Sequence, residues 1–135
     1  MTQLSTKADI ISFVHEQGYT TTEQDPLLII QDEDGLNIFA VIDDTQIEFM
    51  VDLCGVNDLD TSKLEEIYAG ILDQNTETLP CCFGIDSDES SNKRIVLVDS
   101  LATENLDDNE LLLALDSLTV NVITAHDLLS PYFRK

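Results

Sequence analysis

Residues 27–53, "LLIIQDEDGLNIFAVIDDTQIEFMVDL", decide the fold class. They hold three apolar runs separated by two short acidic turns. Leu27-Leu28-Ile29-Ile30 stops at Asp32-Glu33-Asp34-Gly35, and Asp-Gly is a strong hairpin signal because glycine accepts the left-handed backbone of a tight turn. Leu36 to Ile42 is the second run, and Asp43-Asp44-Thr45 turns the chain again. The third run alternates, with Ile47, Phe49, Val51 and Leu53 on one face and Glu48 and Asp52 on the other, which is the period of a half-buried strand. Three such strands joined by tight turns predict an antiparallel meander with one wet face.

Helical patterns flank the meander. Residues 4–17 read as a helix: Ser5 or Thr6 can cap it, Asp9 follows Thr6 in capping-box spacing, and Ile10, Ile11 and Val14 share a face. Gly18 ends it. The polar stretch Tyr19 to Asp25, then Pro26, reads as a connection. Downstream, Ser62-Lys63-Leu64-Glu65 has the capping-box pattern. Leu64, Ile67, Tyr68, Ile71 and Leu72 then recur at the spacing of one helical face. Residues 81–85 and 94–101 read as two more strands, joined by the polar turn from Asp86 to Asn92. A last helix runs from about Asn109 to Leu129. Leu111, Leu115, Leu118, Val122, Ala125 and Leu129 share a face, Leu112 and Leu113 broaden it, and Pro131 closes it. The order α-β-β-β-α-β-β-α predicts an α+β fold, an antiparallel five-stranded sheet with helices packed on it, in a single domain spanning residues 1–135.

Charge bounds the function. The chain has 27 Asp plus Glu against 6 Lys plus Arg, a formal net charge of −21. Neutralising phosphates takes clustered cations, so nucleic acid is excluded as a partner, and an anionic membrane surface repels the protein. A basic protein partner is steered toward it. No run of about 18 apolar residues is present, so no membrane insertion is expected. The first residues lack the basic-then-apolar pattern of a secretory signal, and a cytoplasmic location is expected.

Motifs for chemistry are few. Cys81 and Cys82 are adjacent, so on a strand they point to opposite faces. With Cys54 they form no paired metal-ligand spacing, and only His15 and His126 could join them. Packing in a reducing compartment accounts for all three thiols. Both histidines lie late in helices, where the dipole favours a cationic side chain. Asp32-x-Asp34-Gly35 and Asp86-x-Asp88-x-Ser90 are fragments of calcium loops that lack the closing ligand, and read as turns. No phosphate-binding glycine loop and no nucleophile elbow occurs. No catalytic residue, cofactor or metal is assigned, and an enzyme is not expected.

The C-terminal half carries a resemblance. Leu79-Pro80…Phe83-Gly84-Ile85, Ile95-Val96-Leu97-Val98…Leu101-Ala102, and Leu111 to Ala125 with Leu118…Asn121-Val122-Ile123…Ala125 resemble the YjfI-like family of small uncharacterised bacterial proteins. Asp99-Ser100 stand where that family tends to have Gly-Ala, and Thr119-Val120 where Ala-Glu is usual. The resemblance implies a membrane-stress role with a phage-shock-protein-A-like coiled coil as partner. The element order and acidity are also similar to type III secretion chaperones and YbjN-like domains, which implies a small protein-binding chain that dimerises. The function expected is a non-enzymatic acidic protein-binding module, chaperone-like or a stress-response adaptor, acting as a homodimer. Its expected contact residues are Leu64, Ile67, Ile71 and Phe83. The alternative is a regulatory or sensory domain that binds a small ligand or divalent metal through its acidic turns.

Overall fold

The computed structural model describes residues 2–87 and 92–135. The elements are α1 (Lys7–Glu16), β1 (Thr20–Gln24), β2 (Leu27–Gln31), β3 (Asn37–Ile42), β4 (Gln46–Gly55), α2 (Leu64–Gln74), β5 (Cys82–Ser87), β6 (Lys93–Ala102) and α3 (Asp108–Leu129). All strand pairs are antiparallel, in the spatial order β1-β2-β3-β4-β6-β5.

The meander forms as its turns dictate. Gly35 takes φ +87° between β2 and β3, and Asp32 Oδ1 accepts from the backbone N–H of Asp34 and of Leu36 at 3.0 and 2.8 Å. Between β3 and β4, Asp43 Oδ1 accepts from the N–H of Thr45 and of Gln46 at 2.7 and 2.8 Å. A carboxylate that collects several local donors fixes a turn without help from the core.

The sheet has six strands, not five. The additional strand is β1, Thr20-Thr21-Thr22-Glu23-Gln24, which pairs with β2 from Thr20↔Gln31 to Gln24↔Leu27. It is an edge strand that buries almost nothing, so its sequence lacks an apolar alternation; the β-branched threonines are its only strand signal.

Two further local expectations are corrected. Ser62 and Glu65 make no capping box: Asp60 accepts from the Ser62 N–H at 3.1 Å and from its hydroxyl at 2.6 Å, and a turn of 3-10 helix, Thr61–Lys63, precedes α2. On β4, Leu53 is only half-buried, packed against the margin of the core. The register with β6 shifts between Asp52 and Cys54, and Cys54 takes the inward place at 5% exposure. One extra residue in a strand flips the side chains beyond it.

The Thr6–Asp9 capping box forms as expected, and Gly18 follows α1 at φ +96°. The helices pack on one face of the sheet, with Ile10 and Val14 of α1, Ile67 and Ile71 of α2, and Leu111, Leu115 and Leu118 of α3 joining Ile30, Ile38, Ile47, Phe49 and Leu97 in one core. By length and mean hydropathy, 1.3, the stretch Asp108–Tyr132 could cross a bilayer, a property that a count of consecutive apolar residues misses. In this fold Leu111, Leu115, Leu118, Ala125 and Leu129 of that stretch lie in the core.

Candidate protein-binding site

Among the described residues no helix packs on the other face of the sheet. Strand pairing shows what it displays. Ile29 stands opposite Phe39, Phe39 opposite Met50, and Met50 opposite Val98; alongside, Val41 faces Glu48, and Glu48 faces Ser100. Since side chains alternate along each strand, these residues share the face opposite Ile38, Ile47 and Leu97. The expectation of a wet second face is therefore corrected: its middle is apolar. Leu27, Phe39, Val41, Met50 and Val98 are half-buried there and line a groove of about 470 Å³. Pro80 and Cys82 also line it, at the start of β5.

Polar groups mark the ends of this face. Gln46 Nε2 donates to Glu48 Oε1 at 2.7 Å, and both residues line the groove. Toward the far end of β4, Arg94 Nε donates to Asp52 Oδ1 at 2.9 Å, an exposed pair that contributes about 1 kcal/mol or less to stability. No lysine or arginine is among the described residues lining the groove.

The groove wall is anchored from the covered side. Thr78 is fully buried, and its carbonyl accepts from Asn121 Nδ2 at 3.1 Å and from Ser117 Oγ at 3.5 Å, both on α3. The Cys81 thiol donates to the Thr78 carbonyl at 3.3 Å. Thus one neighbour of the cysteine pair is a core residue and the other lines the groove, as alternation requires. Burial raises the Cys81 thiol above its ordinary pKa. Burial, with Asp58 adding to it, pushes Cys54 up to about 11. Neither is an activated nucleophile. Asp99 on β6 acts electrostatically on Cys81; its Oδ1 accepts from the Ser100 N–H at 2.7 Å, while its buried Oδ2 has no hydrogen-bond partner among the described residues. Burial raises its carboxyl pKa.

The expected contact residues sit elsewhere. Ile67, Ile71 and Phe83 are 2%, 5% and 5% exposed and belong to the core; Leu64 is half-buried against it. The α2 stripe is spent on this chain's own sheet, except for Leu72, which is exposed, as is Leu79 in the loop that follows. Phe39, Val41 and Met50 were the residues to notice. The run Ile38-Phe39-Ala40-Val41-Ile42 is apolar at both parities, which a strand with one wet face has no use for. His15 Nε2 lies 2.9 Å from Thr21 Oγ1, and His126 is exposed beside Asp127. Among the described residues no cluster of three or more His, Cys, Asp or Glu is placed to hold a metal. Asp88 and Ser90 of the Asp86-x-Asp88-x-Ser90 fragment lie outside the described residues, while Asp86 belongs to β5.

The CesT_Tir_1 family model matches residues 4–135. The chain belongs to this type III chaperone family. CesT_Tir_1 membership gives it a chaperone-like, protein-binding role and not an enzymatic one. The fold is shared with YbjN from E. coli, at 13% identity and TM-score 0.66 over 99% of this chain and 100% of that one. It is shared with a chain of the heterodimeric ExoU–SpcU complex from the type III secretion system of Pseudomonas aeruginosa, at 18% identity and TM-score 0.67 over 90% of this chain and 98% of that one. A chain of the ExsC–ExsE complex matches at 11% identity and TM-score 0.65, covering 95% and 97%. At these identities the likeness is one of fold. No curated protein sequence matches the chain. Of the resemblances carried by the sequence, the chaperone likeness is the one the family match bears, and the YbjN likeness is the one the fold bears.

Proposed function

We propose that this CesT_Tir_1 chain works in the cytoplasm, as one domain over residues 1–135, by holding an apolar segment of a protein partner on the helix-free face of its sheet. The observation that carries the reading is the groove over Phe39, Val41, Met50 and Val98: half-buried apolar side chains at the centre of a sheet face on which no helix among the described residues packs. Uncovered apolar area of this kind marks interaction sites. The net charge of −21 keeps such a surface soluble and draws basic partners toward it. Membership in a chaperone family supports the role.

A homodimer belongs to the same reading. Leu72 and Leu79, 68% and 69% exposed, border the α2 stripe and offer the apolar area for a second copy. The phage-shock-protein-A-like coiled coil implied by the YjfI resemblance is a defined candidate partner. The alternative of ligand or metal binding at the acidic turns draws no support from Asp32 and Asp43, whose carboxylates are engaged by the backbone N–H groups of their own turns.

The test is Phe39→Asp, at a half-buried open-face position, assayed by fluorescence anisotropy against a set of labelled apolar peptides. A loss of binding of about tenfold or more, 1.4 kcal/mol, with an unchanged circular dichroism spectrum is expected. Equal binding by wild type and variant would remove the groove from the function.

A further inference from the structure

The outer face of α3 is apolar although the inner face already supplies the core. Past its first turn the exposed residues of α3 are Leu113, Asp116, Val120, Ile123, His126 and Asp127. All but His126 recur at steps of three and four, so they form one stripe about 21 Å long at about 1.5 Å per residue. That alternation is the seam spacing by which one helix packs along another. Leu113, Val120 and Ile123 are 58%, 62% and 66% exposed, while Leu111, Leu115 and Leu118 turn into the core. The outer face of a surface helix is ordinarily polar. Single exposed apolar residues are commonplace, but three aligned on one seam mark a contact surface.

Charge selects the occupant. The seam also holds Asp116 and Asp127, and no lysine or arginine occurs anywhere on α3. Among the described residues Asp116 is in no ion pair, and Asp127 meets only its neighbour His126, Nδ1 to Oδ1 at 3.9 Å. The flank is acidic as well: Thr119 of α3 lines a cleft with Asp32, Glu33 and Asp34. Lys63, Arg134 and Lys135 line another cleft with Tyr132, past the last turn of α3. A helix that covers the seam desolvates both aspartates, and a carboxylate covered without a partner is strongly disfavoured. The α3 of a second copy brings aspartates and no lysine or arginine to meet them, and an anionic membrane repels them. A helix with a cation at each of those two places satisfies them.

We propose that this seam is a second docking surface, for an amphipathic helix of a protein partner. The helix lies along α3 with apolar side chains on Leu113, Val120 and Ile123 and a lysine or arginine at Asp116 and at Asp127. The seam is on the helical side of the molecule and does not depend on the groove being a partner site.

The test uses a synthetic fluorescent helical peptide whose seam reads leucine, lysine, leucine, leucine, lysine, leucine, at steps of three and four by turns. Its lysines match the separation of Asp116 and Asp127 in either direction of pairing. A twin exchanges the two lysines with two glutamines of the peptide's outer face, which leaves its composition and charge the same. Anisotropy titrations are run at physiological salt on wild type, Val120→Asp and Phe39→Asp, and Ile123→Asp repeats the test on the same seam. Val120→Asp adds a negative charge, so non-specific attraction of a cationic peptide grows while seam docking is lost. The first peptide is expected to bind at least about tenfold tighter than its twin, and to lose about tenfold or more with Val120→Asp and nothing with Phe39→Asp. Equal binding of the two peptides, binding that Val120→Asp and Ile123→Asp leave alone or strengthen, or no binding by either peptide overturns the seam. A loss with Phe39→Asp instead places the peptide in the groove and overturns the seam while keeping the groove. A dimer in light scattering that Val120→Asp splits gives the seam to a second copy and overturns the cationic occupant.

Discussion

The Asn75 side chain holds the backbone of Phe83 on both sides: Oδ1 accepts from the Phe83 N–H at 2.6 Å, and Nδ2 donates to the Phe83 carbonyl at 3.4 Å. β5 is an edge strand, so these groups would otherwise lack a partner strand. The carboxamide supplies the pairing of one residue of a missing neighbour. Asn75→Ala is expected to lower stability by about 1–2 kcal/mol, the worth of two hydrogen bonds at a half-buried site. Urea denaturation checks the size, and faster amide exchange confined to β5 checks the place.

Asp99 gives the stability a definite pH slope. Its carboxyl titrates above the ordinary 3.8 in the folded chain because burial disfavours the charge. The folded state therefore holds the proton to higher pH than the unfolded state does, and stability falls as pH rises from about 3.8 through the raised value. Asp43 and Asp60 act oppositely: hydrogen bonds from Thr45 and from Ser62 lower their pKa values, so their contribution is lost as pH falls below 3.8. Asp99→Asn is expected to melt higher than wild type at pH 7, with the gap closing toward pH 4. A gap independent of pH would place the effect in packing instead of ionisation.

Charge at Ile67 and at Leu72 separates core from surface. Ile67 is 2% exposed, so Ile67→Asp buries an unpaired carboxylate and is expected to abolish the cooperative thermal transition. Leu72 is 68% exposed, so Leu72→Asp is expected to stay folded and to shift a dimer to monomer in light scattering on a sizing column. A folded Ile67→Asp monomer would return α2's inner stripe to the interface.

The three thiols should react in a fixed order. Cys82 is half-buried in the groove, whereas Cys54 and Cys81 are buried with raised pKa values. Mild alkylation at pH 8 followed by mass spectrometry is expected to label Cys82 first, and the other two only as the chain unfolds. Occupation of the groove by a peptide is expected to slow the labelling of Cys82.

Much of the architecture was legible because local physics settled it. The Asp-Gly turn, the Thr6–Asp9 box and the stripe from Leu111 to Leu129 each depend on neighbours in sequence, and each formed as read. β1 was illegible because an exposed edge strand needs no apolar pattern; its pairing with β2 is what makes it a strand. The burial of Cys54 beside a half-buried Leu53 was missed because a register shift opposite β6 is a property of two strands, about which neither sequence speaks alone. The burial of the expected contact residues was illegible for a related reason. An amphipathic stripe states that a surface will be covered but not by what, and here the cover for Ile67 and Ile71 is the chain's own sheet. The open face was present in the text as Phe39 and Val41, apolar residues at positions where a half-solvated strand would carry polar ones.

The placement of β6 between β4 and β5 has a consequence for biosynthesis. The four strands of the meander are complete once residue 55 is made, yet the long edge of β4 then has no neighbour, and its eventual partner spans Lys93–Ala102. Until that segment emerges from the ribosome, a nascent chain displays an unpaired strand edge alongside both apolar faces of the sheet, the condition that invites pairing with other chains. The last-made strand is thus the keystone, and premature termination anywhere between residues 55 and 93 should yield an aggregating fragment in place of a smaller working one.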